Sequence, residues 1–278
     1  MSNGFLTCSR MAVKGVLRYL KLMALVGVAI LVLVLVKTTY KRHDGFLNIY
    51  SHKKAIPQKV AMIFSGRVKG YQHVIHKLLE IKNKYDPVIF CSLNDNEFTE
   101  DIDNFCNALK IPKTKDHINI EQTVLPEWTD KCNIMNPTLN VYSMFYHENK
   151  AYSMIEKYMD NNEQFDCVLL YRADMDSSDI LELNVPEKNT IYLPKSMSYG
   201  GFNDRMAYGD VYSMKIYCNL IKVFENLCND RGGDPVNPET MLKKYLKLSS
   251  DIKIVAIDYN TDLHQSRNDK FGLGIFDK

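Results

Sequence analysis

Cysteine is scarce, with seven residues in 278. That density does not frame a disulfide-built mini-protein, and without a Cys-x-x-Cys there is no zinc-finger ligand spacing. No Walker phosphate loop and no Gly-x-Ser-x-Gly occur, so a P-loop NTPase would lack its phosphate cradle and an α/β-hydrolase its nucleophile. No open Asn-x-Ser/Thr acceptor exists, because Asn136-Pro137-Thr138 is blocked by its proline. Internal repeats and low-complexity tracts are absent too. Residues 55–278 lack a basic excess: 26 Lys/Arg face 32 Asp/Glu, a net −6, which argues against a nucleic-acid surface.

The positive charge sits in residues 1–54, with nine Lys/Arg against Asp44, a net +8. Within them, residues 22–36 (LMALVGVAILVLVLV) carry no charge. Extended back to Val16, the run has 21 residues. As a helix it spans about 31 Å, the thickness of a bilayer core, with Arg18 and Lys21 reaching back to the headgroups. A cleaved signal peptide would need a small-x-small site, and Lys37-Thr38-Thr39-Tyr40 offers none. The expectation is a tail over 1–15, a single-pass anchor over 16–36 in type II orientation, a short stem over 37–57 and one catalytic domain over 58–278.

That domain alternates apolar runs with helical patterns. Strands are expected at 60–64 (VAMIF), 88–91, 118–124, 167–171 (CVLLY), 190–193 and 252–257. Helices are expected at 73–84, at 101–109 and within 139–161, where Val141, Phe145, Tyr152, Ile155 and Met159 mark a buried stripe. A further helix is expected over 211–228. Asn237-Pro238-Glu239 then starts another, with an N-cap, a proline at the first position and an acid in the first turn. Such alternation implies an α/β fold, a mixed sheet with helices on both faces. Cys91 and Cys167 fall in strands, as buried free thiols do.

The chemistry concentrates in three places. An apolar strand runs into Arg172-Ala173-Asp174-Met175-Asp176, and in open α/β sheets ligands bind beyond the carboxyl ends of strands. Two carboxylates so placed can share a hard divalent cation, Mn²⁺ or Mg²⁺, whose coordination is often completed by substrate phosphates. A surface capping turn is the plain alternative. Arg172 reads either as an ion-pair partner or as a phosphate contact. The stretch YGGFNDRMAYGD at 199–210 interleaves glycine, aromatic and polar residues, where Asn203, Asp204 and Arg205 could bond a polyhydroxylated ligand. A hairpin or loop leading into the next helix serves as well. Glu239 either complements a helix dipole or acts as a general base toward a hydroxyl.

Four segments together resemble a group of GT-A-type, Asp-x-Asp-containing glycosyltransferase-like proteins of bacteria and large DNA viruses. SGRVKG at 65–70 is similar to their SGxxRG opening, 165–176 to YDxVixxRxDl, 201–209 to gxNDrfaxG and 237–246 to hPExlLxxyL, in the same order. The resemblance covers about 58–260. It implies a GT-A-like nucleotide-diphospho-sugar transferase fold using Mn²⁺ or Mg²⁺. Asp174 and Asp176 would carry the metal, with His264, the only histidine after His147, as a third ligand. Ser65, Gly66, Arg67, Lys69, Arg172, Asn203 and Asp174 would border a nucleotide-sugar, UDP- or GDP-linked. Asp204 would approach the donor sugar, and Glu239 a glycan or glycoprotein acceptor. Two departures stand out. Lys69 replaces the usual arginine, which loses the bidentate fork, and Asn237 replaces the usual histidine. The expected function is a membrane-anchored, metal-dependent glycosyltransferase. A nucleotidyl- or phosphoryl-transfer enzyme using the same paired acids is an alternative, as is a tethered carbohydrate-binding protein without turnover.

Overall fold

The apolar runs become strands because both of their faces are covered. β1 (Val60–Gly66), β2 (Val88–Asn94), β3 (Ile118–Glu121) and β4 (Cys167–Tyr171) run parallel. The computed structural model describes residues 55–95, 99–161, 164–229 and 237–263. β5 (Met175–Asp176) and β9 (Asp262–Leu263) form a separate two-stranded antiparallel ribbon. β6 (Thr190–Pro194), β7 (Met206–Gly209) and β8 (Lys253–Ile257) complete a seven-stranded mixed sheet in the order β3-β2-β1-β4-β7-β6-β8. β7 is antiparallel to both β4 and β6.

Successive strand residues point to opposite faces, and the two cores divide on that period. Met62, Phe64, Leu169 and Tyr171 pack under α1 (Tyr71–Tyr85) and α2 (Thr99–Ala108) through Val74, Leu78, Ile102 and Phe105. Ala61, Ile63, Val168 and Leu170 pack on the other face. There they meet α3 (Thr138–Asn161), α4 (Val211–Cys218) and α6 (Pro238–Lys247) through Val141, Phe145, Ile155, Met214, Tyr217 and Met241. The expected α/β sheet with helices on both faces is therefore present.

Winding sets where a ligand can enter. The chain steps from β1 outward to β2 and β3, then returns along α3 to place β4 on the other side of β1. The strand order thus reverses between β1 and β4, and in open α/β sheets ligands bind at such a point, outside the carboxyl ends of the strands.

Some expectations are corrected. The third strand stops at Glu121 rather than Val124. Thr123 turns inward there to Ser143 and to His147, each at 2.9 Å, and leaves Val124 exposed. The 211–228 helix is three pieces: α4, a 3-10 turn (Leu220–Val223) and α5 (Phe224–Asn229). It breaks at Asn219, whose side-chain oxygen accepts from Asn149 of α3 at 2.8 Å. The stretch read as a hairpin or loop contains β7, a strand in the interior of the sheet. Cys132 and Cys228 form a disulfide that ties α5 to the segment after the 3-10 turn Glu127–Lys131. Cys91, Cys106, Cys167 and Cys218 are buried free thiols.

Among the described residues no helix is long and apolar enough to cross a membrane. The tail, the 16–36 segment and the stem up to residue 54 lie outside the described residues.

Candidate active site

Among the described residues, the segments singled out in the sequence for their chemistry come together beyond the carboxyl ends of β1 and β4. After β1, Gly66 (φ 76°) and Gly70 (φ 89°) take left-handed conformations that glycine reaches without strain. Gly70 faces the turn that follows β4: a Cβ built on it would lie 4.0 Å from Asp174 Cβ. Within the loop Ser65 is half-buried, while Arg67 and Lys69 are exposed. Arg67 Nη2 donates to Asn140 Oδ1 at 3.1 Å, which pins the loop to the first turn of α3.

Beyond β4 the ladder with β7 continues for one step, as Arg172 N–H donates to Arg205 O at 3.1 Å. Arg172 then folds onto its own loop. Its Nε and Nη2 donate to Asp174 Oδ1 and Oδ2 at 3.0 and 3.1 Å, a two-pronged pair. The ion pair of the two Arg172 readings is present; it leaves the phosphate contact untested. Asp174 is 4% exposed, whereas the Arg172 side chain is 22% exposed. Burial works against the guanidinium charge, but Asp174, Asp204 and Glu148 outweigh it and hold Arg172 firmly ionised. Asp176, in β5, is half-buried and accepts the Ser177 N–H at 2.8 Å.

Because β7 is antiparallel to β4, the residues before β7 arrive at the same edge. Asp204 is 4% exposed; burial raises its pKa, and Arg172 and Arg205 oppose the rise. Asn203, expected to contact a ligand, instead spends its amide inside the protein. Its Nδ2 donates to Ser196 O at 2.7 Å and Thr261 Oγ1 at 2.6 Å, and its Oδ1 accepts from Arg205 N at 2.9 Å. It is wholly buried and braces the loop. Arg205 is likewise internal, with Nη1 donating to Thr261 O at 2.9 Å.

Glu239 reaches the site through the close approach of two backbones. Asn237 caps α6: its side chain accepts from Thr240 N at 2.7 Å and the Thr240 hydroxyl accepts from Asn237 N at 3.1 Å, a capping box. The turn so fixed lies on Gly201, and Phe202 N–H donates to Glu239 O at 2.9 Å. Glu239 is 8% exposed. Burial first, and Asp204 second, push its carboxyl up to about 7. An acid at a solvated helix start would stay ionised well below that.

The sequence reading missed Glu148. Glu148 is 1% exposed on α3, and burial followed by the charge of Asp204 raises its pKa well above the carboxylate range. A signal was available. Val141, Phe145, Glu148, Tyr152 and Ile155 recur at spacings of three and four, so Glu148 is a carboxyl on an apolar stripe. His147 beside it is also buried, bonded to Ser92 Oγ at 2.8 Å and Thr123 Oγ1 at 2.9 Å, and burial lowers its pKa to about 4.

The donor chemistry fits a hard cation. Asp174 and Asp176 offer only oxygen, and no thiolate competes among the residues named here. Among the described residues no three His, Cys, Asp or Glu side chains close on one point. A cation held by Asp174 and Asp176 would share Asp174 with Arg172, which bonds both of its oxygens, and phosphate and water oxygens would have to complete its shell. His264 lies outside the described residues.

No protein-family model and no curated protein matches the chain. Solved structures similar to it include a glycosyltransferase involved in the glycosylation of the major capsid of PBCV-1, at 10% identity and TM-score 0.35, covering 72% of this chain and 82% of that one. Another is the apo-form glycosyltransferase GlyE of Streptococcus pneumoniae TIGR4, at 12% identity and TM-score 0.38, covering 72% of this chain and 45% of that one.

Proposed function

We propose that the chain is a metal-dependent glycosyltransferase of the GT-A type, moving a sugar from a UDP- or GDP-sugar to a hydroxyl of a glycan or glycoprotein. We further propose that residues 16–36 anchor it in a membrane. One observation carries the catalytic reading: where the sheet reverses its winding, the 172–176 loop with its half-buried arginine and two carboxylates, the buried Asp204 before β7, and Glu239 of α6, whose carboxyl is raised to about 7, come from three separate segments.

Each residue then has a task. Ser65, Gly66, Arg67 and Lys69, at and just after the carboxyl end of β1, would border the nucleotide. Asp174 and Asp176 would hold Mn²⁺ or Mg²⁺, which when bound offsets the charge of a departing diphosphate. Arg172 keeps a fixed positive charge beside that position. Glu239, near neutrality in pKa, takes the proton of the incoming hydroxyl, the task of a base in an inverting displacement. Asp204, flanked by two guanidinium groups, supports the sugar side of the site.

The test is nucleoside diphosphate release from UDP- and GDP-sugars with Mn²⁺, with and without EDTA. Asp174→Ala and Asp176→Ala should each lower the rate by about 10²-fold or more. Undiminished activity in either variant overturns the metal assignment. Pyrophosphate release from a nucleoside triphosphate would instead identify a nucleotidyltransferase, and sugar binding without turnover a carbohydrate-binding protein.

A further inference from the structure

The cysteines of the described residues fall into two sets. Cys132 and Cys228, both half-buried, are joined in a disulfide. Cys91, Cys106, Cys167 and Cys218 are free and at most 1% exposed. Among the described residues, then, no free thiol faces solvent.

The bridge is part of the packing and not of a reactive surface. Cys132 N–H donates to Thr129 O at 3.0 Å, which closes the 3-10 turn Glu127–Lys131. Trp128 of that turn meets Phe224 of α5 with ring centroids 6.1 Å apart, and Tyr142 of α3 meets the same ring at 5.4 Å. Both bridged cysteines pack against this core. The bond thereby ties the segment leading into α3 to the end of α5, 96 residues away in sequence. A thiol pair that senses oxidants needs an accessible thiolate and a resolving thiol beside it. The four remaining described thiols are shut inside the two cores, so none serves that purpose. An oxidising solvent would attack an exposed thiol, and the described residues offer it none.

Structural disulfides form and persist in oxidising compartments and are rare where cellular reductants keep thiols free. We infer that the domain beginning at residue 55 matures on the oxidising side of a membrane, exported from the cytosol. Cations stand on both sides of the 16–36 segment, Arg10 and Lys14 before it and Lys37, Lys41 and Arg42 after it, so charge barely separates its two orientations. The disulfide separates them: residues 1–15 stay in the cytosol and the domain crosses. This orientation rests on the anchor proposed above, whereas the oxidising compartment rests on the bridge alone.

The missing N-glycosylation acceptor makes the test clean, because one substitution creates an acceptor at either of two exposed places. Pro137→Ala opens Asn136-x-Thr138 ahead of α3, where Asn136 is exposed. Leu248→Asn, at a residue 74% exposed just after α6, completes an acceptor with Ser250. When the full chain is translated with microsomes, each variant should gain one endoglycosidase-sensitive glycan and the wild type none. Without microsomes no variant should gain any. In the translocated chain, denatured but not reduced, all cysteines except Cys132 and Cys228 should react with a maleimide–polyethylene glycol, and all seven after reduction. No glycan on either variant, or seven reactive thiols before reduction, overturns the inference. A glycosylated chain that alkali extracts from the membrane keeps the compartment and removes the anchor. Neither readout involves turnover, so a chain that uses no nucleotide-sugar fails the functional reading and leaves this one decided.

Discussion

Gly201 is the position where a single methyl group should do the most damage. A Cβ built there lies 1.9 Å from the Glu239 carbonyl carbon, 2.0 Å from its oxygen and 2.3 Å from Thr240 N. All three are backbone atoms, so no rotamer change relieves the clash. Gly201 is not among the left-handed glycines, so the demand is for space and not for conformation. In Gly201→Ala the first turn of α6 must withdraw by more than about 1 Å to restore ordinary contact. Withdrawal breaks the Phe202 N–H to Glu239 O bond, worth about 1 kcal/mol. It also disturbs the Asn237–Thr240 capping box, worth about 1 kcal/mol, and forced overpacking adds about 1–3 kcal/mol. The expected loss is therefore about 3–5 kcal/mol. Gly66→Ala is the control. It meets nothing within 4 Å and carries only the strain of φ 76°, about 1–2 kcal/mol. Urea unfolding of the two variants measures the difference. Because Glu239 rides on the displaced turn, Gly201→Ala should also lose about 10²-fold in rate under conditions where it is folded. A Gly201→Ala protein as stable as Gly66→Ala, or one folded and fully active, would refute the packing of α6 against this loop.

Three further outcomes are expected. As the proposed base, Glu239 would work only when ionised, so kcat/KM should rise with pH through an inflection near 7, the value to which burial and Asp204 push it. The same raised pKa makes wild-type stability fall as pH climbs from 4.5 to about 7, because the unfolded chain ionises first. Glu239→Gln should flatten both profiles, and an unchanged rate profile removes Glu239 as the base. Cys132→Ala opens a loop of sequence separation 96 and should cost about 4–5 kcal/mol in denaturant unfolding on the chain-entropy account. Tyr199 is 58% exposed, with its carbonyl held by Asn237 Nδ2 at 3.1 Å, and under the proposed function its ring would stack on an acceptor sugar. Tyr199→Ala should raise acceptor KM about three- to tenfold and leave donor hydrolysis unchanged; an unchanged acceptor KM excludes that role.

What could be read from the sequence follows the range of the forces involved. β1, β2 and β4 are legible because strands covered on both faces need unbroken apolar runs, and 60–64, 88–91 and 167–171 supply them. The α6 start is legible because a capping box with proline behind it is local chemistry. β7 is not, because Met206–Gly209 is four residues whose strand character comes from β4 and β6 on either side. The break at Asn219 is hidden for the same reason, since the side chain that secures it belongs to Asn149.

The site divides along the same line. Asp174 and Asp176 announce themselves by following a strand, yet nothing local says that Arg172 forks onto Asp174 rather than toward a ligand. Glu239 sits in the first turn of α6, where an acid ordinarily serves the helix dipole and stays fully ionised at neutral pH. What changes its character is Gly201, distant in sequence, which lets the α6 turn settle so closely that the carboxyl is buried beside Asp204. The acid–base property therefore belongs to the contact between the two segments. For that reason a methyl group on Gly201, which touches no substrate, should silence Glu239 about as effectively as removing its carboxyl.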